Sequence, residues 1–342
     1  MKTLTRNTLF ISLAAIFFLA MFGAVCTKAA AETKMTMASF FAPKTNLEVA
    51  CTKFKDMVEK NTGGGIKITF YGTGTLYNPK GALAAIAKNM VNITYLHTGM
   101  VARRSPVLEL IGSFGAQGCW KSYDHYFRFI DNPKVHDIAS AEASKLYNSK
   151  ILGFFSYGTG LIASKRPIKK VEDLKGLKIR SSGTAQATVW QALGAVPTEL
   201  SAKEMYTALQ RGTIDAVNTG TSRVRRNKIY EVAPYLTIDP TTPHVSFFFA
   251  INNTAWKKLS PGDQKVLAQA ATDVERWTRK MAEKEKEGDY AFFKKNASEL
   301  IKLSDKEQTK LLDIVCPRIK ALCQKRLGDR FQELWGLLEA SR

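Results

Sequence analysis

The sequence is poor in the side chains from which metal sites are built. It has four histidines and five cysteines in 342 residues. The histidines, His97, His125, His136 and His244, are scattered along the chain, and no two cysteines form a Cys-x-x-Cys pair. Because zinc sites need clustered ligands, these absences argue against a zinc site, and we expect neither a metal nor a cofactor.

Recognisable catalytic motifs are also missing. The chain contains no Gly-x-Ser-x-Gly, no His-Glu-x-x-His and no P-loop, and its few histidines follow no triad order,. The segment 72–74, Gly-Thr-Gly, lacks the third glycine of a dinucleotide fingerprint, and we predict a turn there. We therefore expect a protein that is not an enzyme, and an exported enzyme is the least favoured alternative.

The N-terminus has the three parts of a secretory signal. Lys2 and Arg6 precede an apolar run at residues 9–25, and Ala29–Ala31 offers an Ala-x-Ala cleavage site,. We predict that residues 1–31 form a signal peptide that is cleaved after the last of these alanines. The mature protein is then expected in the periplasm.

Two alternatives to a cleaved signal peptide stay open. The apolar run could act as an uncleaved membrane anchor, although Ser12 and Gly23 interrupt it,. Cys26 could carry a lipid, but the bulky Val25 directly before it does not suit a lipoprotein signal, which has a small residue there. Soluble export is the favoured interpretation.

The charge balance is strongly basic, with few acidic residues to offset the cations. Removal of residues 1–31 takes away three cations and no carboxylate, so the formal net charge falls from +20 to +17. Such a charge suits nucleic acid, an anionic membrane surface or small anions, and an export signal argues against nucleic acid. The runs Arg103-Arg104 and Arg223–Arg226 are interpreted as solvated faces, which is the usual role of charge runs.

Four cysteines remain after export. Cys51, Cys119, Cys316 and Cys323 allow three pairings, and the sequence does not select one,. On an unbroken helix Cys316 and Cys323 would stand about 10 Å apart, which is too far for a disulfide. Pro317 could break that helix, so a local pair stays open.

The first part of the mature chain alternates strands and helices, without internal repeats or low-complexity linkers. The predicted elements are a strand at 34–39, a helix at 45–60 opened by a Thr45–Glu48 capping box, a strand at 66–70, a helix from Asn78-Pro79 and a strand at 91–95,. This βαβαβ order predicts a parallel sheet covered by helices. Ligands of such sheets bind at the carboxyl ends of the strands, here residues 40–45, 71–78 and 96–100.

A second alternating block begins near Ile151 and leads to an unusually long helix. Its predicted elements are a strand at 176–180, a helix opened by a Ser201–Glu204 capping box, a strand at 214–217, a very apolar strand at 245–251 and a helix at 261–296,. A helix of that length is roughly 50 Å long at 1.5 Å per residue, too long for one small lobe.

The fold class that follows is α/β, with two lobes and a long helix that spans both. We expect lobe I at 32–156 with a returning segment at about 241–260. Lobe II is expected at 157–240 together with part of 261–342,.

Four stretches in the order 54–64, 171–180, 204–216 and 252–261 resemble the solute-binding proteins of TRAP transporters, of the C4-dicarboxylate-binding type. Each stretch alone is weak, because a strand followed by a capped helix is common. Together, in the correct order over nearly the whole mature chain, they are specific. The resemblance implies a two-lobed periplasmic binding protein fold that closes on a small organic carboxylate and delivers it to the membrane subunits of a TRAP permease.

The resemblance also implies that Arg180 forms the principal salt bridge with the ligand. This role suits the residue, because a guanidinium can donate two parallel hydrogen bonds to a carboxylate and a strand end holds it in place. From position alone, Arg180 would be an ordinary surface arginine.

Two departures from the family pattern leave the ligand open. Gly160 stands at or near the place of a second arginine, and the expected asparagine is replaced by Thr219 or displaced to Asn218. With one firm cation, a monocarboxylate is expected at least as readily as a C4-dicarboxylate. Tyr157 and Phe40 are predicted to close the remaining pocket.

His244 could point into the same cleft, and a structural histidine is an equal alternative. We expect a monomer that binds no nucleic acid. A ligand sensor for a membrane signalling partner would use the same fold and is the alternative function.

Overall fold

A computed structural model describes residues 32–112, 114–156, 158–241 and 245–342. Its strands form two separate sheets, and its helices pack on the faces of both. The predicted signal peptide lies outside the described residues. None of the helices in the described part of the chain is long and apolar enough to cross a membrane.

The first sheet has five strands in the order β2-β1-β3-β10-β4. Its strands are β1 (Thr33–Ala38), β2 (Ile66–Tyr71), β3 (Ile93–His97), β4 (Ser149–Ser156) and β10 (Val245–Asn252). β1 pairs in parallel with β2 and β3, as the βαβαβ pattern predicts, whereas β10 runs antiparallel between β3 and β4. The chain therefore returns to its first sheet after building the second.

The second sheet has six strands in the order β11-β9-β5-β8-β6-β7. Its strands are β5 (Gly160–Ser164), β6 (Lys178–Ser181), β7 (Val196–Glu199), β8 (Ala216–Gly220), β9 (Tyr235–Ile238) and β11 (Glu299–Ile301). β6 pairs in parallel with β7 and β8, and β5 pairs antiparallel with β8 and β9. Two lobes result, one around each sheet.

Helices cover both sheets. Those before the second sheet are α1 (Asn46–Asn61), α2 (Pro79–Ala87), α3 (Thr98–Val101), α4 (Pro106–Ile111), α5 (Tyr123–Ile130) and α6 (Pro133–Tyr147). The next are α7 (Thr184–Ala192), α8 (Met205–Gln210), α9 (Thr221–Arg226), α10 (Ile229–Val232) and α11 (Asn253–Lys257). The last are α12 (Pro261–Asn296), α13 (Asp305–Leu327) and α14 (Phe331–Ala340), and short 3-10 turns lie at Phe114–Ala116, Val171–Leu174 and Gly328–Arg330.

The long helix α12 joins the two lobes. Its 36 residues extend for about 54 Å, and Ser260 caps it by accepting a hydrogen bond from the backbone N–H of Asp263 at 3.1 Å,. Near its start Leu267 is buried in the core of the first lobe, and near its end Phe293 is buried in the core of the second. The prediction of a helix that spans both lobes is confirmed.

A disulfide fastens the C-terminal helices to the first lobe. Cys119, in the loop after α4, is bonded to Cys316 in the middle of α13, with 4.8 Å between their Cα atoms. α13 runs unbroken through Pro317, so the local Cys316–Cys323 pair considered above is wrong. Cys323 is instead buried, and its thiol donates to the carbonyl of Gly115 at 3.0 Å.

Some element boundaries differ from the sequence prediction. β3 begins and ends two residues later than expected, and Asn92 lies before it, accepting a hydrogen bond from the Thr36 backbone N–H at 2.7 Å. β8 also lies later, at Ala216–Gly220. These shifts matter because they bring His97 to the end of a strand and Arg223 into the first turn after one.

The two predicted capping boxes form only in part. Thr45 accepts from the backbone N–H of Glu48 at 3.3 Å, but the Glu48 carboxylate turns away and accepts from the Thr73 N–H at 2.8 Å and from the Ser39 hydroxyl. Glu204 accepts from the backbone N–H of Ser201, although the helix starts only at the following residue. Glu48 thus ties the loop after β2 to the loop after β1.

Candidate anion-binding cleft

The carboxyl ends of parallel strands from both sheets border one cleft. β1 and β4 of the first lobe end there, and β6 and β8 of the second lobe end there too. Residues of both lobes line a shared crevice at this place: Thr45, Asn46, Leu47 and Ser156 from the first lobe, Ser222 and Arg226 from α9, and Ala282 and Glu285 from α12. This is where open α/β sheets bind ligands.

Arg180 lies in β6 and is half-buried. Its Nε donates a hydrogen bond to the carbonyl of Leu200 at 2.9 Å, which fixes the guanidinium group. Burial and the nearby charge of Arg223 together lower the pKa of Arg180 to about 10, although Glu199 opposes them. Arg180 therefore stays charged at neutral pH, and it has no salt bridge to any described carboxylate.

Arg223 is a second half-buried cation, and the sequence analysis missed it. It lies in the first turn of α9, directly after β8, whereas its neighbours Arg225 and Arg226 are exposed. Burial lowers the pKa of the Arg223 guanidinium, and no described carboxylate forms a salt bridge with it. The interpretation of the whole arginine run as a solvated face is thus wrong for this residue.

The helical repeat explains how one arginine of the run differs from the rest. At 100° per residue, Arg223 and Arg225 point about 200° apart on α9, so one can face the cleft while the other faces solvent. Arg225 pairs with Asp289 of α12 at 3.3 Å. Had β8 been predicted to end at Gly220, this periodicity would have singled out Arg223.

His97, at the end of β3, brings a neutral donor from the first lobe. Its Nδ1 accepts a hydrogen bond from the backbone N–H of Gly99 at 3.1 Å. Burial lowers the pKa of His97 to about 4, and the charge of Arg223 acts in the same direction. The imidazole is therefore neutral at pH 7, and since Nδ1 accepts, its proton is on Nε2. The charge of Arg223 acts on both His97 and Arg180, so Arg223 lies near both of them.

Asn218 and Thr219, the two candidates for the displaced asparagine, point to opposite faces of β8. Asn218 is buried, and both ends of its amide are used inside the protein: Nδ2 donates to Asp239 at 2.7 Å and Oδ1 accepts from Gln186 at 2.8 Å. Thr219 is half-buried and lies on the same face of the sheet as Arg180, because Arg180 pairs with Val217. Thr219 is the better placed of the two, and ligand contact by either stays a prediction.

Aromatic rings form the wall next to the cations. Phe40, half-buried after β1, has its ring centre 4.9 Å from that of Phe41 and 5.9 Å from that of Phe247. Phe247 in turn lies edge-on to His97 at 5.1 Å. Phe40 is thus connected through rings to the charged part of the cleft, and its contact with a ligand stays a prediction.

Three other expectations concern the chain around the cleft. Tyr157 and His244 lie outside the described residues, so their predicted roles stay predictions. Gly160 is paired with Gly220 across β5 and β8 and offers no side chain, so the second cation of the family pattern is missing at that position. Arg223 is a half-buried cation on a different element, α9.

The assembled groups suit the binding of an anion. Two guanidinium groups and a neutral imidazole can donate hydrogen bonds, and a ring wall can exclude water. Within the described ranges no group of three or more His, Cys, Asp or Glu side chains could hold a metal ion. A cation-lined cleft between two lobes, with a long helix that joins them, defines a solute-binding protein of the periplasmic type.

Comparison with known proteins gives the family. Residues 37–325 match the bacterial extracellular solute-binding protein family 7, and the chain belongs to that family. Its members bind solutes, so the chain is a binding protein and not an enzyme, as predicted.

Two relatives and one solved structure illustrate the likeness. The chain is 28% identical to the C4-dicarboxylate-binding periplasmic protein of Rhodobacter capsulatus, over 72% of this chain and 73% of that protein. It is 27% identical to the sialic acid-binding periplasmic protein of Vibrio cholerae, over 80% and 81%. A TRAP periplasmic solute-binding protein from Ochrobactrum anthropi has the same fold, with a TM-score of 0.82, 23% identity and coverage of 90% of this chain and 95% of that one.

Proposed function

We propose that this protein is the periplasmic solute-binding subunit of a TRAP transporter, which captures a small organic anion and passes it to the membrane subunits of a permease. The observation that carries the proposal is the pair of half-buried guanidinium groups, Arg180 and Arg223, that have no carboxylate partner among the described residues. A half-buried cation without a partner is costly, and a bound anion would remove that cost.

The relatives support the nature of the ligand. C4-dicarboxylates and sialic acid, which two of them bind according to their names, are both carboxylates. The N-terminal sequence supports export, because residues 1–31 have the charge, apolar run and cleavage site of a signal peptide,. Both point to capture of an organic acid outside the cytoplasm by a mature protein that begins near Glu32.

Lobe closure would complete the site. Arg180 and Arg223 belong to the second lobe, and His97 and Phe40 belong to the first, so an anion enclosed between the lobes would meet both pairs, and separation of the lobes would remove one of them. A ligand shifts the equilibrium between open and closed forms only by binding the closed form better. The closed form is then the shape that a permease would recognise. The proposed lobes are those expected from the sequence, with 32–156 and about 241–260 in the first and 157–240 in the second.

Native mass spectrometry of the protein released from the periplasm tests the proposal. Under gentle conditions we expect a mass excess that denaturation releases as one small organic acid, together with an N-terminus near Glu32. Adding that acid to ligand-free protein should reduce the radius of gyration in X-ray scattering, because the lobes close. Retention of residues 1–31, or an acid that binds without any change in shape, would contradict the proposal.

A further inference from the structure

We propose that Arg223 is a second ligand-binding residue and that the ligand carries two negative charges, one held by Arg180 and one by Arg223. This inference rests on the proposed function and goes beyond it, because it fixes the charge of the ligand. It also reverses the expectation, drawn from Gly160, that a single firm cation makes a monocarboxylate at least as suitable.

The other half-buried arginines of the protein show what is unusual about this pair. Within the described ranges four arginines are half-buried: Arg180, Arg223, Arg279 and Arg326. Arg279 binds both Asp131 and Glu275, and Arg326 binds Glu109. Where the fold uses a half-buried arginine for itself, it supplies a carboxylate. The two cleft arginines are the exceptions.

Proximity makes the two exceptions a single site. β6 and β8 are adjacent parallel strands, with Arg180 opposite Val217, and α9 starts directly where β8 ends. The charge of Arg223 accordingly acts on Arg180. Two like charges that share a half-buried position repel each other, so a ligand with one negative charge would satisfy one guanidinium and leave the other without a partner.

The other charged groups of the cleft leave these two cations to the ligand. Arg226 and Glu285, which line the crevice, carry opposite charges that act on each other. His97 is neutral at pH 7 and adds a hydrogen-bond donor rather than a third cation. Glu199 acts on Arg180 from an exposed position at the end of β7 and makes no salt bridge with it. The matching ligand is a small dianion with two separate anionic groups, either a dicarboxylate or an acid that also carries a phosphate.

Matched pairs of acids that differ in one charge test the inference on the wild-type protein. The probes are succinate and succinamate, glutarate and glutaramate, galactarate and galactonate, and glycerol 3-phosphate as a separate arm, each titrated by calorimetry at neutral pH. We expect at least one dianion to bind about 30-fold or more tightly than its singly charged partner. A monoanion that binds equally well or better would overturn the inference, and the proposed function would stand.

Variants then assign the second charge to a residue. Arg223→Gln should reduce the preference for the dianion to about threefold or less and leave the affinity for the monoanion nearly unchanged. Arg180→Gln should weaken both. Arg225→Gln is the matched control, because it lies on the same short helix and is exposed, and it should keep the wild-type preference. A full preference for the dianion in Arg223→Gln, with the variant folded by circular dichroism, would refute the role of this residue.

The two proposals fail in different ways. If the wild type binds monoanions through Arg180 and shows no preference for a dianion, the ligand-charge inference is wrong and the binding function holds. If the wild type binds no organic acid, and none is found in protein taken from the periplasm, both proposals are wrong.

Discussion

Arginine plays opposite parts in two regions of this molecule. Around the long helix, Arg279 donates to both oxygens of Asp131, at 2.6 and 2.9 Å, and to Glu275, and so joins α12 to the end of α5. In the cleft, Arg180 and Arg223 are half-buried without such partners. The same side chain stabilises the fold where carboxylates surround it, and we propose that it binds the ligand where they do not.

This contrast predicts that variants of the cleft arginines lose affinity, whereas variants of Arg279 lose stability. Arg180→Ala should weaken binding of the natural acid by roughly 2 to 5 kcal/mol, because the carboxylate loses its partner in a desolvated place. Arg180→Lys should also bind clearly worse, since an ammonium cannot reproduce the planar fork. Calorimetric titration measures the loss, and unfolding by urea should show ligand-free stability within about 1 kcal/mol of the wild type.

If Arg180→Ala binds the acid as tightly as the wild type, Arg180 does not hold the ligand, and the contrast between the cleft arginines and Arg279 fails. A large loss of ligand-free stability in the same variant would also contradict it, because Arg180 would then be part of the fold's own support. The variant loses the hydrogen bond from Arg180 to the carbonyl of Leu200, and this loss accounts for the small expected change in ligand-free stability,.

On the helix side, Arg279→Ala should destabilise the protein by about 3 kcal/mol at pH 8, because Glu275 stays buried without its cation,. Affinity for the acid should stay within about twofold of the wild type, since the Arg279 guanidinium is held by Asp131 and Glu275 and is not available to a ligand,. Arg276→Ala is the control: Arg276 is exposed on the same helix, and its loss should change stability by no more than about 0.5 kcal/mol,. Urea unfolding measures both.

A smaller effect should follow from pH. Burial raises the pKa of Glu275 to about 7 although Arg279 lowers it, so the folded state binds a proton that the unfolded state has released above pH 4.5. The contribution of Glu275 to stability is therefore complete below pH 4.5 and is lost as pH rises through 7. From pH 5 to pH 7, the stability of the wild type relative to Glu275→Gln should fall by about 1 to 2 kcal/mol.

Comparison with Glu275→Gln isolates this carboxyl group. His97 and His136 have pKa values lowered to about 4, chiefly by burial. Their contributions to stability are therefore lost as pH falls, whereas that of Glu275 is lost as pH rises. Both proteins share these histidines, so their contribution cancels in the difference. A difference that does not vary between pH 5 and pH 7 would mean that Glu275 is ionised throughout.

The smallest effect on binding is expected at Arg225. It is exposed, pairs with the buried Asp289 and lies over the ring of Phe292 at 4.5 Å. Arg225→Ala should change affinity only slightly, mainly at low salt, although it lowers stability because Asp289 stays buried without its cation. Titrations at two salt concentrations check this. A loss of affinity like that of Arg180→Ala would mean that the ligand binds on the Arg225 side of α9 and not on the Arg223 side.

The fold could be predicted from the sequence because its signals are local. Helix caps at Asn78 and Ser260, the alternation of strands with helices and the length of α12 are all visible within short windows,. The resemblance to a known family then singled out Arg180. The disulfide was beyond this reasoning, because 197 residues separate Cys119 from Cys316 and only the packing of α13 on the first lobe brings them together.

The rest of the site depended on burial and on small shifts of boundaries. Arg223 stands in a run of arginines that looks uniform in sequence, and only the position of β8 decides which of them becomes half-buried. His97 lies in the segment 96–100 that was expected to face the ligand, but nothing in the sequence distinguished it from its neighbours. Whether a charged side chain has a partner is a property of the folded protein, so the unpaired arginines could be recognised only there.

A crystal structure of the protein with the acid that co-purifies from the periplasm tests the central claim most directly. The account predicts an acid enclosed between the lobes, with one anionic group in bidentate contact with Arg180 and a second within hydrogen-bond distance of Arg223. An acid bound elsewhere, or one enclosed in the cleft without touching either guanidinium group, would contradict it.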